Sequence, residues 1–325
     1  MNIFDFIKLF GGLALFLYGM IFMGSRLQKF SGGTLEKYIE KFTKNIFQSI
    51  LLGFLITAII QSSTATTVLV VGLVNAKLMT VKQSVGVIMG ANVGSTVTSQ
   101  IVRLSNISSD NLFINFLNLD NLIYIFAIVG IILLKSSKDS RKKIIAQLFL
   151  GISILFVGLL QMKGAVEPLK NSGELVNIIT FFANNQIFAI LTGAIMTAIL
   201  QSSAATIGIL QAVSTTGILT FVSTYPIILG QNIGTCLTAA ISSMGASKNA
   251  KRAAAIHFYF NFIGAAVFLI CLTVLHQIGV FNNLWNSTID SGGIANFHTL
   301  FSIATTVILI PFASKLEKLA ESTIK

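Results

Sequence analysis

Apolar residues in this chain fall into runs near 6–24, 82–103, 120–134, 142–162, 222–243, 252–276 and 294–313. A helix needs about 17–25 residues to cross a bilayer, a length that all of these reach except 120–134, and we read all seven as crossings. Two further apolar segments, 46–76 and 187–216, differ in kind. Each carries a polar Gln-Ser-Ser triplet at its middle, so each arm is only about 14 residues long. Such an arm rises about 21 Å as a helix, short of a hydrocarbon core of about 30 Å. The pattern predicts seven crossings and two re-entrant helical hairpins with the triplets at their tips.

The two hairpin regions are copies of each other. Residues 53–98 align without a gap on residues 193–238, with 15 identities among 46 positions. The identities fall on Gly53/Gly193, Thr57/Thr197, Gln61-Ser62-Ser63/Gln201-Ser202-Ser203, Thr66/Thr206, Thr80/Thr220, Gly90/Gly230, Asn92/Asn232, Gly94/Gly234 and Thr98/Thr238, and on four apolar pairs at Ala58, Ile59, Ala65 and Ile88. The shared positions of a duplicated apolar protein are thus mainly polar or glycine. One polar site built from both copies explains this, and that is the plan of a secondary transporter. Repeat 1 spans about 46–134 and repeat 2 about 187–276. Three crossings separate the hairpins, so the repeats are expected to be inverted.

Charge refines the map. Only 10% of residues are charged against 54% hydrophobic, with a mean hydropathy of +0.83. Soluble domains carry about 25% charged residues. The fold class is therefore all-α integral membrane. With the N-terminus outside and the C-terminus cytoplasmic, 18 of the 22 Lys and Arg residues fall in inner loops, a strong positive-inside bias. Treating either hairpin as a crossing scrambles that count. The net charge of +11 therefore speaks for a membrane surface and lipid rather than nucleic acid. Residues 25–45 read as an interfacial helix on the cytoplasmic face, with lysines toward lipid head groups. Cys236 and Cys271 lie within apolar segments, where they read as small free hydrophobes.

The polar motifs suggest chemistry. Gln61, Ser62, Ser63, Gln201, Ser202 and Ser203 in mid-membrane are costly unless hydrogen-bonded or wet. A hairpin tip frees main-chain groups, and a helix N-terminus aimed at it favours an anion without Lys or Arg. The GANVG (90–94) and GQNIG (230–234) motifs place Asn92 and Asn232 between glycines in mid-span. We expect a broken helix at each, its carbonyls facing a cation, with Ser95-Thr96 and Thr235-Cys236 opening the downstream halves. No Asp or Glu sits mid-span, which favours Na⁺ over a proton relay as the coupling cation. His257 and Asn261, four apart, share one helix face and read as a supporting polar pair. His298 and Ser302 repeat that spacing in the last span.

At these residues the sequence resembles the type II sodium/phosphate cotransporter family in its bacterial branch. The resemblance covers roughly 6–313 and rests on TAIIQSSTATT with GANVGSTVT, TAILQSSAATI with GQNIGTCLT, and HFYFN. It implies sodium-driven symport of inorganic phosphate by alternating access in the bacterial cytoplasmic (inner) membrane, with Na⁺ as coupling ion and no cofactor. The implied phosphate-binding residues are the two QSS triplets. The implied sodium ligands are Thr64, Thr66, Thr206, Asn92, Ser95, Asn232 and Thr235. Ala204 follows the second triplet where Thr64 follows the first, so the two half-sites are not equivalent. Members often carry a cytoplasmic helical domain after the last span. Here Lys325 closely follows the basic stretch 315–318, and a single transport domain without that regulator is expected. A homodimer stays open.

Two alternatives stand beside this reading: a carrier for another oxyanion or a dicarboxylate, and a membrane phosphate sensor. An intramembrane serine hydrolase is disfavoured. It would need a base near the nucleophile, and there is neither a GxSxG elbow nor a mid-span carboxylate to orient a histidine.

Overall fold

The computed structural model describes residues 3–31, 43, 45–104, 119–166, 168 and 173–325. The described residues form helices and connecting turns, with one isolated β-bridge between Thr220 and Thr288. In chain order the helices are α1 (Ile3–Ser31), α2 (Ile46–Ile60), α3 (Ser63–Asn75), α4 (Val81–Arg103), α5 (Leu119–Ser136), α6 (Ser140–Val166), α7 (Gly173–Asn184) and α8 (Gln186–Leu200). They continue with α9 (Ser203–Ser214), α10 (Phe221–Gly234), α11 (Cys236–Ser242), α12 (Lys248–Gln277), α13 (Asn282–Trp285), α14 (Ser291–Leu309) and α15 (Ala313–Thr323).

Among the described residues, five helical segments are long and apolar enough to cross a membrane: Ile3–Met23, Val81–Arg103, Ser140–Val166, Lys248–Gln277 and Ser291–Thr323. Each matches an expected crossing. The other two expected crossings take a different form. The described apolar part of the 120–134 span is the shorter helix Ile123–Ser136, and 222–243 is divided between α10 and α11. A sixth candidate, Asn177–Asn184 with Gln186–Leu200, bends by 112° and lies where a hairpin arm was expected. Most of the proposed interfacial helix falls outside the described residues, although α1 itself continues to Ser31.

The duplication seen in the sequence is also a duplication of packing. In repeat 1 the helix α2 lies along α4, and in repeat 2 α8 lies along α10. Glycine makes both approaches possible. A Cβ added at Gly90 would stand 1.9 Å from the Ile50 carbonyl oxygen, and one at Gly230 would stand 1.9 Å from that of Ile190. The reverse contacts pair as well, Gly53 with the Val87 oxygen and Gly193 with the Ile227 oxygen, both at 2.1 Å. All four partners keep the 140-residue offset.

The structure corrects the broken helix expected at GANVG and agrees with the one expected at GQNIG, whose downstream half opens at Cys236. Val81–Arg103 runs unbroken through Gly90, Asn92 and Gly94. In repeat 2 the interruption falls at Thr235, one residue past the motif, and Thr235 keeps helical angles of φ −61° and ψ −25°. Glycine weakens a helix by roughly 1 kcal/mol relative to alanine. Here that cost is offset by backbone-to-backbone contact with the neighbouring helix, which a side chain would prevent.

The repeats interlock. The second arm α3 packs on α11 of the other repeat, and α9 packs on α4. Helices α12 and α14 brace this core, with α14 held to α4 by Gln100 donating to Thr299 at 2.8 Å and Arg103 to Asn296 at 2.8 Å. Outside it, α1 packs along α6, and α6 against α5.

Candidate functional site

Both triplets break their helices in the same way. Gln61 ends α2 in the left-handed region (φ 59°, ψ 27°), and Gln201 ends α8 likewise (φ 50°, ψ 26°). A non-glycine residue there is uncommon and marks a conformation held by its surroundings. The next residue turns extended and starts a new helix. Ser62 (φ −151°) accepts the Ala65 amide at 3.1 Å, and Ser202 (φ −148°) accepts the Ala205 amide at 3.2 Å. A helix C-terminus thus meets a helix N-terminus across two residues, so carbonyl and amide ends lie together. An N-cap hydroxyl satisfies one of the four free amides of a helix start. The amides of Ser63 and Thr64 in one repeat, and of Ser203 and Ala204 in the other, remain as donors.

A threonine pair closes each hairpin behind its tip. Thr57 donates to Thr66 at 2.9 Å, and Thr197 and Thr206 share a bond of 2.8 Å. All four residues are fully buried. Thr66 and Thr206 also donate to the Ser62 and Ser202 carbonyls, which leaves a lone pair on each hydroxyl oxygen. Ser63 and Ser203 are buried, while Thr64 and Ser95 are partly exposed. Asn92 and Asn232 turn their amides back onto their own helices, to the carbonyls of Ile88 and Ile228. Ser95 and Thr235 in turn donate to the Asn92 and Asn232 carbonyls at 2.7 and 2.6 Å.

The tips differ in one respect. Gln61 is buried; its amide donates to the Ala58 carbonyl, and its Oε1 accepts the Thr98 hydroxyl at 2.9 Å. Gln201 is exposed and, among the described residues, has no such tie to Thr238. The inequivalence expected from Ala204 thus has a second expression.

Several buried polar residues join this region without having been assigned to the site from the sequence. Ser99 donates to the Thr96 carbonyl at 2.7 Å, so the bond of 3.3 Å between its hydroxyl and His298 Nδ1 is satisfied when the ring donates. His298 Nε2 then accepts the Gln231 amide at 3.2 Å. Gln211 donates to the Ser99 carbonyl and to the Ser291 hydroxyl, at 3.1 and 3.0 Å. Adjacent residues on α4 therefore reach the first tip (Thr98) and the second half of the molecule (Ser99). Thr57, Thr197 and Thr98 carried a signal, being repeated at the 140-residue offset. Gln211 and Gln231 did not, since Val71 and Ala91 stand at their places in repeat 1.

The supporting pair is placed beside the second repeat. Asn261 Nδ2 donates to the His257 carbonyl at 3.0 Å and reaches Cys236 Sγ at 3.5 Å. His257 is 1% exposed, and among the described residues neither of its ring nitrogens has a hydrogen-bond partner.

Comparison with known proteins bears on what this arrangement does. The profile of the Na⁺/Pi-cotransporter family matches residues 15–164 and 166–284. The chain belongs to the Na⁺/Pi-cotransporter family. It is a multi-pass membrane transporter and not an enzyme. Among relatives of this Na⁺/Pi-cotransporter family chain, the uncharacterized protein YqeW of Bacillus subtilis is 28% identical over 92% of both chains. The YjbB protein of Salmonella typhimurium, whose name proposes inorganic phosphate export, is 22% identical over 98% of this chain. The chain spans 56% of that relative's length. Human sodium-dependent phosphate transport protein 2B is 30% identical over 33% of this chain and 16% of its own. No solved structure matches.

Proposed function

We propose that the protein is a sodium-coupled symporter of inorganic phosphate, working by alternating access between two inverted repeats. The observation that carries this reading is the paired tip: in each repeat a left-handed Gln and an N-capping Ser set free amides and carbonyls together in apolar surroundings. Oriented amides and hydroxyls suit an oxyanion, and neutral oxygens suit Na⁺, a hard cation. Phosphate is assigned to Gln61, Ser62, Ser63, Gln201, Ser202 and Ser203. Sodium is assigned to oxygens of Thr64, Thr66, Thr206, Asn92, Ser95, Asn232 and Thr235, with His257 and Asn261 in support. The short arms α2, α3, α8 and α9, each of 12–15 residues, support re-entrant hairpins over crossings, since 15 residues rise about 22 Å.

Sodium enters first and supplies positive potential that the site lacks. Phosphate then docks on the amides and hydroxyls. With no acid in the site, a doubly charged phosphate needs bound Na⁺ for charge balance. The core holding both hairpins then moves against the rest. The positive-inside count supports an outward N-terminus in the cytoplasmic membrane. A second reading, phosphate export, draws on the name of the YjbB relatives; coupling is reversible, so the two differ in the gradients the cell imposes.

The test is labelled-phosphate flux in proteoliposomes under an inward Na⁺ gradient against an equal K⁺ gradient. Sodium-dependent uptake competed by arsenate, but not by sulfate or succinate, is expected. Folded, reconstituted protein giving no sodium-dependent phosphate flux in either direction would overturn the proposal. Competition by succinate instead would move the assignment to a carboxylate carrier.

A further inference from the structure

The His257 imidazole stands out among the buried polar groups. A neutral ring offers one donor and one acceptor, and both nitrogens are buried and without a partner among the described residues. Its relative in the last span, His298, has partners at both nitrogens. A buried polar group left without a partner costs about 1–3 kcal/mol, so such a group is kept only for something that meets it there.

The packing fixes its height in the molecule. The Ser247 amide donates to Asn75 Oδ1 at 2.9 Å, joining the end of α3 to the start of α12. The two helices pack on each other beyond that point, with Val70, Val71 and Val74 in one apolar cluster with Ala250, Ala253 and Ala254. Counting back from Asn75 to Ser63 rises about 18 Å, and counting forward from Ser247 to His257 rises about 15 Å. His257 therefore lies within about a half-turn of the level of the first tip. From the other side, Cys236 Sγ touches the His257 carbonyl at 3.5 Å and the Asn232 carbonyl at 3.7 Å, which sets His257 beside the second repeat's motif. Helices α3, α4, α10, α11 and α14, which pack on α12, contain no Asp or Glu, and α15, which also packs on it, carries Glu317 and Glu321. Among the described residues neither glutamate of α15 bonds to the His257 ring.

We infer that His257 is a substrate-binding residue, its ring N–H donating to an oxygen of phosphate held at the first tip while Asn261 and Cys236 fix its backbone. This rests on the phosphate reading above and gives that site a third contributor, from a helix outside both QSS hairpins.

The experiment uses the full chain, wild type, His257→Leu and His257→Gln, with two readouts: thermal stability in detergent and Na⁺ with and without inorganic phosphate, and flux kinetics in proteoliposomes. Leu removes an unpaired polar group and fills its space, so unliganded stability should hold or rise. The upward shift with phosphate should vanish, and the phosphate KM should increase tenfold or more with the sodium dependence unchanged. Gln restores a donor and should recover part of the phosphate KM. A merely structural histidine would lower unliganded stability and leave the phosphate KM alone, and that result overturns the inference. If the Leu variant does not fold, the Gln variant decides: a phosphate KM raised about threefold or more at constant sodium dependence supports the assignment, and an unchanged KM refutes it. Wild type that responds to no phosphate at all fails the phosphate reading instead, a result separable from the others.

Discussion

Replacing Gly90 with Ala tests whether the GxNxG motif is a packing device. The added methyl would stand 1.9 Å from the Ile50 carbonyl oxygen and within 2.8 Å of the Phe54 amide. Both are backbone atoms of α2 and cannot rotate away. An ordinary contact begins near 3.4 Å, so α2 must retreat by roughly 1.5 Å, and close-packed interiors resist such shifts. Overpacking of this kind costs typically about 1–3 kcal/mol or more. The gain in helix propensity returns about 1 kcal/mol, which leaves a net loss. Thermal unfolding in detergent should drop by several degrees, on the order of 3–6 °C. Because α2 carries Gln61, phosphate flux should fall further than stability does. Gly230→Ala, 1.9 Å from the Ile190 oxygen, should behave alike. Gly72→Ala and Gly164→Ala, with nothing within 4 Å of the new carbon, are the controls and should hold or slightly raise stability. If Gly90→Ala matches wild type in both stability and flux, or if Gly72→Ala costs as much, the packing argument is wrong.

Other outcomes follow from the same geometry. Ser62→Ala and Ser202→Ala should lower stability by ~1 kcal/mol each through loss of the N-cap, whereas the Gly variants should cost only a few tenths; if Ser62→Gly is folded yet transports like wild type, the hydroxyl is a cap and not a ligand. Thr57→Val and Thr197→Val break the threonine pairs and should each lose about 1 kcal/mol together with flux; retention of full flux would show that hairpin closure is dispensable. A double-mutant cycle of Ser99→Ala and His298→Leu, read by thermal stability, should give a coupling of about 0.5–3 kcal/mol, and strict additivity would refute the link between α4 and α14.

The repeat, the membrane class and the helix breaks at the two Gln-Ser-Ser triplets were legible in the sequence. They rest on local or periodic facts: apolar run length, the Gln-Ser-Ser interruption, and identity at a fixed offset. Ser62 does what such a residue does at any helix start, which capping decides, whereas the left-handed Gln61 is also held by Thr98 from across the fold. Why the glycines recur was not legible. A Gly-x-Asn-x-Gly pattern in mid-span fits a broken helix as well as a close crossing. Only the path of Ile50, Phe54 and Val87 past α4 decides for the crossing, because the choice depends on what lies across the gap. The partners of buried polar groups were hidden for the same reason. Ser99 meets His298 across 199 positions of sequence, Thr98 reaches Gln61 across 37, and no periodicity encodes such pairs. The sequence by itself determined which segments are long and apolar enough to cross a membrane and where the triplets interrupt a helix. Tertiary structure alone decided which buried polar groups are answered by neighbours, as at Thr57 and Thr66, and which, like the His257 ring, are not. A hydrogen bond is a property of two groups at one distance, and only the packed fold sets that distance.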